Sequence, residues 1–375
     1  MTDDRTFTGR QVTSRVRPDG HLELALAESS VAAPGPDEVV VRVEATPINP
    51  SDVGLLLTGA DPATATADGA ATVLQLPPGA LATLGARLDR ALPVGNEGAG
   101  TVVAAGEQVA DLLGRVVAAA GGGMWAQYRR VPAAACLVLD PGTRARDAAS
   151  AFVNPLTVLG LLETAHHDGH TAVVHTAAAS NLGRMLVRVC RADGVGLVNV
   201  VRSPAQVDLL RSLGAEHVCD SSADDFLDRL HDAVAATGAT AAFNAVGGGP
   251  LTGQILTAME SALRRTGAYS LYGSSVRKQV YVYGRLDTRP LQVDLGIGMA
   301  WQVGGWLLTH FLNGLDADTA ARLRTRVATE LTSTFASEYG GEIPLFDVLR
   351  PEAIAAYARR GTGQKYLIIP QAENP

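Results

Sequence analysis

The chain has 375 residues, 47% of them hydrophobic and 18% charged, with a formal net charge of −7. Such a composition favours two well-buried domains over disorder, and the acidic balance, with only the isolated pairs Arg129-Arg130 and Arg264-Arg265, excludes a basic nucleic-acid track. The opening MTDDRTFTGRQ lacks a signal peptide's apolar core and no run approaches eighteen apolar residues, so a soluble cytoplasmic protein is expected, without membrane or nucleic-acid partners.

In chain order, residues 11–45 read as strands. QVTSRV and LELALA flank the turn Pro18-Asp19-Gly20, and EVVVRVEA follows Pro34-Gly35-Pro36-Asp37. TPINPSDVGLLLTG, starting at Thr46, reads as a loop entering a short helix. Residues 60–93, rich in Ala, Thr and Pro, read as a surface insertion with room for a small hairpin. GAGTVVAAG, GRVVAAA and MWAQYRRV are short strands split by glycines, a barrel-like pattern. Residues 147–166 look helical, with Asn154-Pro155 interrupting them. The three cysteines, Cys136, Cys190 and Cys219, form neither a disulfide framework nor a four-cysteine zinc knot and read as buried thiols.

From residue 171 strand and helix alternate. TAVVHT precedes a helix over 182–193, VGLVNVV one over 204–213, EHVCD one over 223–236, and AAFNAV one over 250–265; GAYSLYG is the fifth strand. This alternation predicts a parallel sheet covered on both faces. Ser203-Pro204 fits an N-cap followed by proline at N1. Beyond Gly273 come a tyrosine-rich segment, a helix around 299–313 carrying Trp301 and Trp306, another over 316–332, and a closing strand, helix and strand.

The stretch HTAAASNLG, from His175 to Gly183, is where a dinucleotide's pyrophosphate would meet a helix N-terminus. The usual G-x-G-x-x-G spacing stands here as Ala178-x-Ser180-x-x-Gly183. Gly183 keeps the helix-packing role. Ala178 and Ser180 are small enough if the backbone avoids positive φ, and Ser180 or Asn181 can add a hydrogen bond to phosphate. Leu182 completes the loop. The second strand ends in Arg202-Ser203 with no carboxylate, and a guanidinium there suits a 2′-phosphate, so NADPH is expected over NADH. FNAVGGG, with Val246 and Gly247, and YSLYGSS, with Tyr272 and Gly273, are expected at carboxyl ends of strands along the same rim.

Seven stretches together resemble the medium-chain dehydrogenase/reductase superfamily, and within it the zinc-free quinone oxidoreductases and 2-enoyl thioester reductases. They are INPSD (48–52), GNEGAGTV (95–102), GMWAQY (123–128), AAASNLG (177–183), VNVVR (198–202), LRSLGAEHV (210–218) and FNAVGG (243–248). The resemblance implies an α/β protein. Residues 1–150 would form a GroES-like, partly open β-barrel catalytic domain, residues 151–312 a Rossmann doubly wound domain binding NADPH, and residues 313–375 a return segment, with a cleft between the domains. It further implies a homodimer and hydride transfer from NADPH.

Metal-dependent members carry cysteine after the Asn-Pro turn and histidine before the glutamate. This chain offers Ser51-Asp52 and Asn96-Glu97, so no catalytic zinc is expected. Enoyl reductases of this kind have a tyrosine after the NPSD helix, where Thr58-Gly59-Ala60-Asp61 stands instead. Asn49 and Asp52 are the first candidates beside the nicotinamide, as positioning groups, and Tyr128 and Tyr272 are within reach of the cleft. Thr157 resembles the residue that contacts the nicotinamide ribose. Arg87 and Arg90, in the insertion, read as solvated charges that an anionic substrate could meet. The expected activity is NADPH-dependent reduction of a quinone or activated alkene. The alternatives are an enoyl thioester reductase with a relocated proton donor and a cofactor-binding protein without turnover.

Overall fold

The computed structural model describes residues 5–267, 269–359 and 365–372. The chain divides into two compact units, residues 1–153 with 324–375, and residues 154–323.

The first unit opens with β1 (Phe7–Val16), β2 (His21–Val31), β3 (Glu38–Pro47) and α1 (Pro50–Leu57). There follow β4 (Thr66–Asp68), β5 (Ala71–Gln75), α2 (Ala80–Leu84), β6 (Leu92–Pro93) and β7 (Glu97–Ala105). Next come β8 (Val116–Ala120), β9 (Tyr128–Pro132), β10 (Cys136–Val138) and α3 (Ala145–Ala148).

The second unit holds most of α4 (Val153–His167), then β11 (Ala172–Thr176), α5 (Asn181–Asp193), β12 (Gly196–Val201) and α6 (Pro204–Ser212). It continues with β13 (His217–Asp220), α7 (Phe226–Thr237), β14 (Ala241–Asn244), β15 (Gly247–Gly249) and α8 (Leu251–Thr266). Then come β16 (Lys278–Val282), β17 (Asp287–Leu291), β18 (Trp301–Gly305), α9 (Leu308–Asn313) and α10 (Ala317–Thr329), whose residues from Arg324 onward are counted with the first unit. The chain ends with β19 (Gly341–Pro344), α11 (Pro351–Ala358) and β20 (Tyr366–Ile369) in the first unit.

In the first unit a five-stranded sheet, β4-β5-β2-β1-β6, accompanies a seven-stranded one, β10-β8-β7-β3-β20-β19 with β9 also on β3; neither closes into a barrel. The alternation of β1 and β2 sends Val12, Val16, Leu22 and Leu24 into a core with Leu56, Leu74, Trp125 and Tyr357. The expected surface insertion is partly woven into this sheet. β4 and β5 form a hairpin, and β5 pairs with β2 and buries Thr72 and Leu74. The alternation in Ala-Thr-Val-Leu-Gln, diluted by its alanine- and threonine-rich surroundings, was the signal for it.

The second unit is built on six parallel strands in the order β13-β12-β11-β14-β16-β18. This order runs outward in both directions from β11 and β14, so the topological switch point lies between their carboxyl ends, where open α/β sheets bind ligands.

Three local expectations change. GAYSLYG is not a strand: the residues described there are irregular and largely exposed, and the fifth strand is Lys278–Val282. Two segments ending in Tyr-Gly compete for the role, and the second wins because its first four residues are all buried. Trp301–Gly305 is an edge strand rather than the start of a helix, as β-branched Val303 and two poor helix formers, Gly304 and Gly305, favour. Asn154-Pro155 does not interrupt α4 but lies in its first turn, where a missing N–H costs nothing. The helical stretch 145–167 is long and apolar enough to cross a membrane, but 78% of its apolar window is buried in the protein. The three cysteines are buried and unbridged, and burial pushes the Cys136 and Cys219 thiols up to about 11 and the Cys190 thiol to about 12.

Candidate active site

The loop joining β11 to α5 is anchored from below. Ala178 and Ala179 are buried in a cluster with Val187, Val201, Leu210 and Val218, so their methyl groups serve packing. The Ala178 N–H donates to the Val200 carbonyl at 3.1 Å. A Cβ on Gly183 would overlap the carbonyl of Ala178, so this third position of the motif tolerates glycine alone. Ser180 is the N-cap of α5, its Oγ accepting the Gly183 N–H at 3.1 Å while its own hydrogen stays available. The strain falls one residue earlier than the motif places it: Ala178 and Ser180 avoid positive φ, whereas Ala177 adopts φ 52°.

Exposed Ser180 and half-buried Asn181 and Leu182 form the outer lip of this loop at the positive end of a thirteen-residue helix. Arg202, exposed, follows the carboxyl end of β12 and donates its backbone N–H to Gln206 Oε1 at 2.9 Å. Ser203 is the N-cap of α6 without a side-chain capping bond. A hydroxyl, a helix N-terminus and a guanidinium along one sheet edge are a donor set that fits a phosphorylated dinucleotide.

On the other side of the switch point stands a buried pair that motif spacing did not single out. Thr176 Oγ1 donates to Asn244 Oδ1 at 2.9 Å and accepts the Ala245 N–H at 2.9 Å. Asn244 Oδ1 also accepts the N–H groups of Val246 and Gly247, at 2.8 and 3.1 Å, and its Nδ2 donates to Thr252 Oγ1 at 2.9 Å. The Val246 carbonyl accepts the Asp287 N–H at 2.8 Å, which ties this loop to the start of β17. The glycines after Val246 let β17 approach β15; a Cβ on Gly248 would overlap the Arg289 carbonyl, and Gly247 itself has φ 85°. A polar residue inside AAFNAV was the available signal, since a buried amide must find partners. Nearby, His175 Nε2 lies 2.7 Å from Tyr283 Oη, and burial holds the imidazole down at about 3, so it is neutral at physiological pH.

The first unit carries a second polar centre around the start of α1. Asp52 is fully buried and accepts the backbone N–H groups of Asn49 and Asn96, each at 2.8 Å. Asn49 Nδ2 donates to Glu97 Oε1 at 2.8 Å, and Glu97 Oε2 accepts the N–H groups of Phe152 and Val153, both at 2.9 Å. Glu97 thus ties the Asn49 turn to the residues where α4 begins, a favourable place for a carboxylate. Burial pushes the Asp52 carboxyl up to about 7, with the neighbouring Glu97 charge adding to it, against the downward pull of the two N–H groups. Above this knot, exposed Ser51 accepts a 3.0 Å hydrogen bond from Asn96 Nδ2.

Among the expected site residues, Asn49 and Asp52 are brought together, and so are Ala178, Ser180, Asn181, Leu182, Gly183, Val246 and Gly247, with Arg202 and Ser203 on the same edge. Thr157 is buried in α4. Tyr128 is not part of the Asn49 knot; it opens β9, opposite Arg42, with its ring 5.7 Å from that of Phe7. Tyr272 and Gly273 do not join the rim. They precede β16, at its amino end, and Gly273 is packed against Glu260. Arg87 is claimed by the fold: it donates to the Leu55 carbonyl at 3.2 Å and to Thr58 Oγ1, pinning the insertion to the end of α1. Arg90 binds the Ala86 carbonyl at 3.3 Å. Among the described residues no group of three His, Cys, Asp or Glu is placed to hold a metal.

Two family models match the chain: the alcohol dehydrogenase GroES-like domain over residues 35–141 and the zinc-binding dehydrogenase over residues 182–293. A mycocerosic acid synthase-like polyketide synthase of Mycobacterium tuberculosis is 27% identical over 294 residues, which is 76% of this chain and 12% of that protein. The chain therefore spans about an eighth of the length of that relative. A quinone oxidoreductase of Escherichia coli, solved with NADPH, superposes with a TM-score of 0.70 at 19% identity, covering 97% of this chain and 100% of the other. The CurK enoyl reductase gives a TM-score of 0.70 at 17% identity, covering 96% of this chain and 99% of the other. At these identities the structural likenesses establish the fold.

Proposed function

Since the chain belongs to the medium-chain dehydrogenase/reductase superfamily, we propose that it is an NADPH-dependent reductase of quinones or activated alkenes. The observation that carries this reading is the switch point of the parallel sheet, where the Ser180-capped helix end faces the loop organised by Thr176 and Asn244. The bound nucleotide supplies a hydride. Ser180, Asn181 and the start of α5 would hold its pyrophosphate, Arg202 its 2′-phosphate, and Val246 and Thr157 its nicotinamide half. Within the first unit, Asn49 and Asp52, held with Glu97, are assigned a positioning role rather than proton transfer. An already polarised acceptor needs no protein acid beyond this, because water completes the protonation.

The reading includes no metal. A catalytic zinc takes cysteine, histidine or acid ligands, whereas a hydroxyl and an amide stand at Ser51 and Asn96, and the two acids beside them are spent on N–H groups and an amide. Likeness to the CurK enoyl reductase favours a second reading, reduction of an enoyl thioester. We propose further that two copies associate along β18. It is an edge strand, and Trp301 on it, with Met299 and Leu307 beside it, leaves apolar surface exposed; light scattering on the purified protein would read twice the chain mass.

The test is NADPH oxidation followed at steady state against a panel of quinones, enones and enoyl thioesters. Turnover of the first two classes supports the leading reading, and preference for thioesters supports the second. NADPH binding without oxidation of any acceptor would contradict both and leave a binding protein.

A further inference from the structure

One polar contact at the carboxyl ends of the central strands lies outside both the helix cap and the bonds of the Asn244 side chain. His175 stands on β11 opposite Phe243 of β14, which in turn stands opposite Tyr281 of β16. Tyr283, two residues further, continues the alternation and returns to the same face of the sheet. Its ring crosses the end of β14 to reach His175, with Nε2 and Oη 2.7 Å apart and the ring planes inclined by 15°. The backbone there is fixed on both sides. The Tyr283 N–H donates to the Asn244 carbonyl at 3.0 Å, and a Cβ on Gly284 would overlap the Ala245 carbonyl. The tautomer of His175 follows from its surroundings: the ring is fully buried, and its Nδ1 has no partner among the described residues. Hydrogen on Nδ1 would be a buried N–H without an acceptor, whereas hydrogen on Nε2 leaves only a lone pair there. Nε2 therefore donates to Tyr283 Oη, and the phenol hydrogen is left to point elsewhere. No second acceptor meets it among the described residues, and Tyr283 is only half-buried. Burial raises the phenol above its ordinary range, so it stays a neutral donor.

We propose that Tyr283, oriented by His175, donates its phenol hydrogen to the carboxamide oxygen of the nicotinamide and so fixes the rotation of that ring. The inference rests on the nucleotide assignment above, in which the Val246 end of the rim takes the nicotinamide half. Tyr283 belongs to that end. Its N–H is on Asn244, and a Cβ on Gly247 would touch the carbonyl of Gly284, the next residue. A phosphate calls for a cation or a row of backbone N–H groups, and those stand elsewhere on the rim, at Arg202 and the start of α5. A single neutral donor matches an amide oxygen, the strong uncharged acceptor that the nicotinamide ring carries. His175 is a positioning residue: it never touches the ligand, and its loss frees the phenol to rotate.

The experiment compares dissociation constants for NADPH and for 2′-phospho-ADP-ribose, the same nucleotide without its nicotinamide, by calorimetric titration. The proteins are the unaltered chain, Tyr283→Phe, His175→Leu and His175→Gln, and the fluorescence emission of bound NADPH is recorded for each. Tyr283→Phe is expected to weaken NADPH about threefold to tenfold, the worth of one neutral hydrogen bond, and to shift that emission. Its affinity for 2′-phospho-ADP-ribose is expected to be unchanged. His175→Leu should lose about as much, and His175→Gln, whose amide keeps an N–H for Oη, should recover most of it. The readout is the ratio of the two constants, so a variant that is less stable but still folded is judged on the same terms. Equal weakening of both nucleotides, or unchanged NADPH affinity in Tyr283→Phe, would overturn the pair. A His175→Gln protein no better than His175→Leu would also overturn it, by showing that the imidazole does not act through an N–H. An unaltered protein that binds neither nucleotide would defeat the nucleotide assignment itself, and the pair with it.

Discussion

The two polar centres of this protein are built on opposite plans. The rim in the second unit is made of backbone, small residues and a helix end, and its lip at Ser180 and Asn181 is open. The knot in the first unit is made of side chains that satisfy one another and nearby backbone groups at full burial. An open rim takes its affinity from a ligand it has yet to meet. A closed knot takes its order from internal bonds and presents a fixed surface. Substitutions should therefore damage folding most in the first unit and ligand binding most in the second.

The largest expected effect is at Glu97. Replacing it by alanine leaves the Asn49 amide and the N–H groups of Phe152 and Val153 without an acceptor, a cost of about 3–5 kcal/mol in unfolding free energy. Denaturant unfolding reads this directly, and a loss below about 1 kcal/mol would show that the knot is not what orders the first unit.

Asp52 predicts a pH dependence confined to the same unit. Its carboxyl is raised from the ordinary 3.8 to about 7 chiefly by burial, so between those values the folded protein holds a proton that the unfolded chain has released. Stability from this group is fully present below about pH 4 and is lost as pH rises towards 7, by at most about 1.4 kcal/mol per pH unit. Unfolding midpoints across this window, compared with those of Asp52→Asn, should show the slope in the unaltered protein and a flatter line in the variant. Equal slopes would place the titration elsewhere.

The smallest effect belongs to the rim and has the opposite sign. Ala177 holds a left-handed conformation, φ 52°, that glycine adopts at no steric cost. Ala177→Gly should relieve about 1 kcal/mol of strain, less what the freer unfolded chain takes back. A thermal midpoint raised or unchanged fits this, and a drop of several degrees would show that the alanine methyl matters more than its backbone.

How much of this could be read from residues alone follows the same division. The second unit's sheet was legible because short apolar strands alternate with amphipathic helices, and the α5 loop because its small residues keep a motif's spacing. The errors came from lookalikes: Tyr-Ser-Leu-Tyr-Gly imitates the end of the true strand Lys278–Val282, and Trp301–Gly305 has apolar residues at intervals a helix would also accept. The knot was legible only in its members. INPSD and GNEG were visible as motifs, but Asn49 and Glu97 are 48 residues apart and meet only when α1 and β7 are both in place. Pairing over such distances is set by the fold, so local pattern could name the residues and not their partners. Thr176 and Asn244, 68 residues apart, were missed for the same reason.

The central claim is tested most directly by calorimetric titration of the unaltered protein and Arg202→Ala with NADPH and with NADH. The account predicts that the unaltered protein binds NADPH more tightly than NADH, and that the substitution weakens NADPH at least tenfold while leaving NADH nearly unchanged. Absence of binding heat for either nucleotide at millimolar concentration, or equal weakening of both, would contradict it.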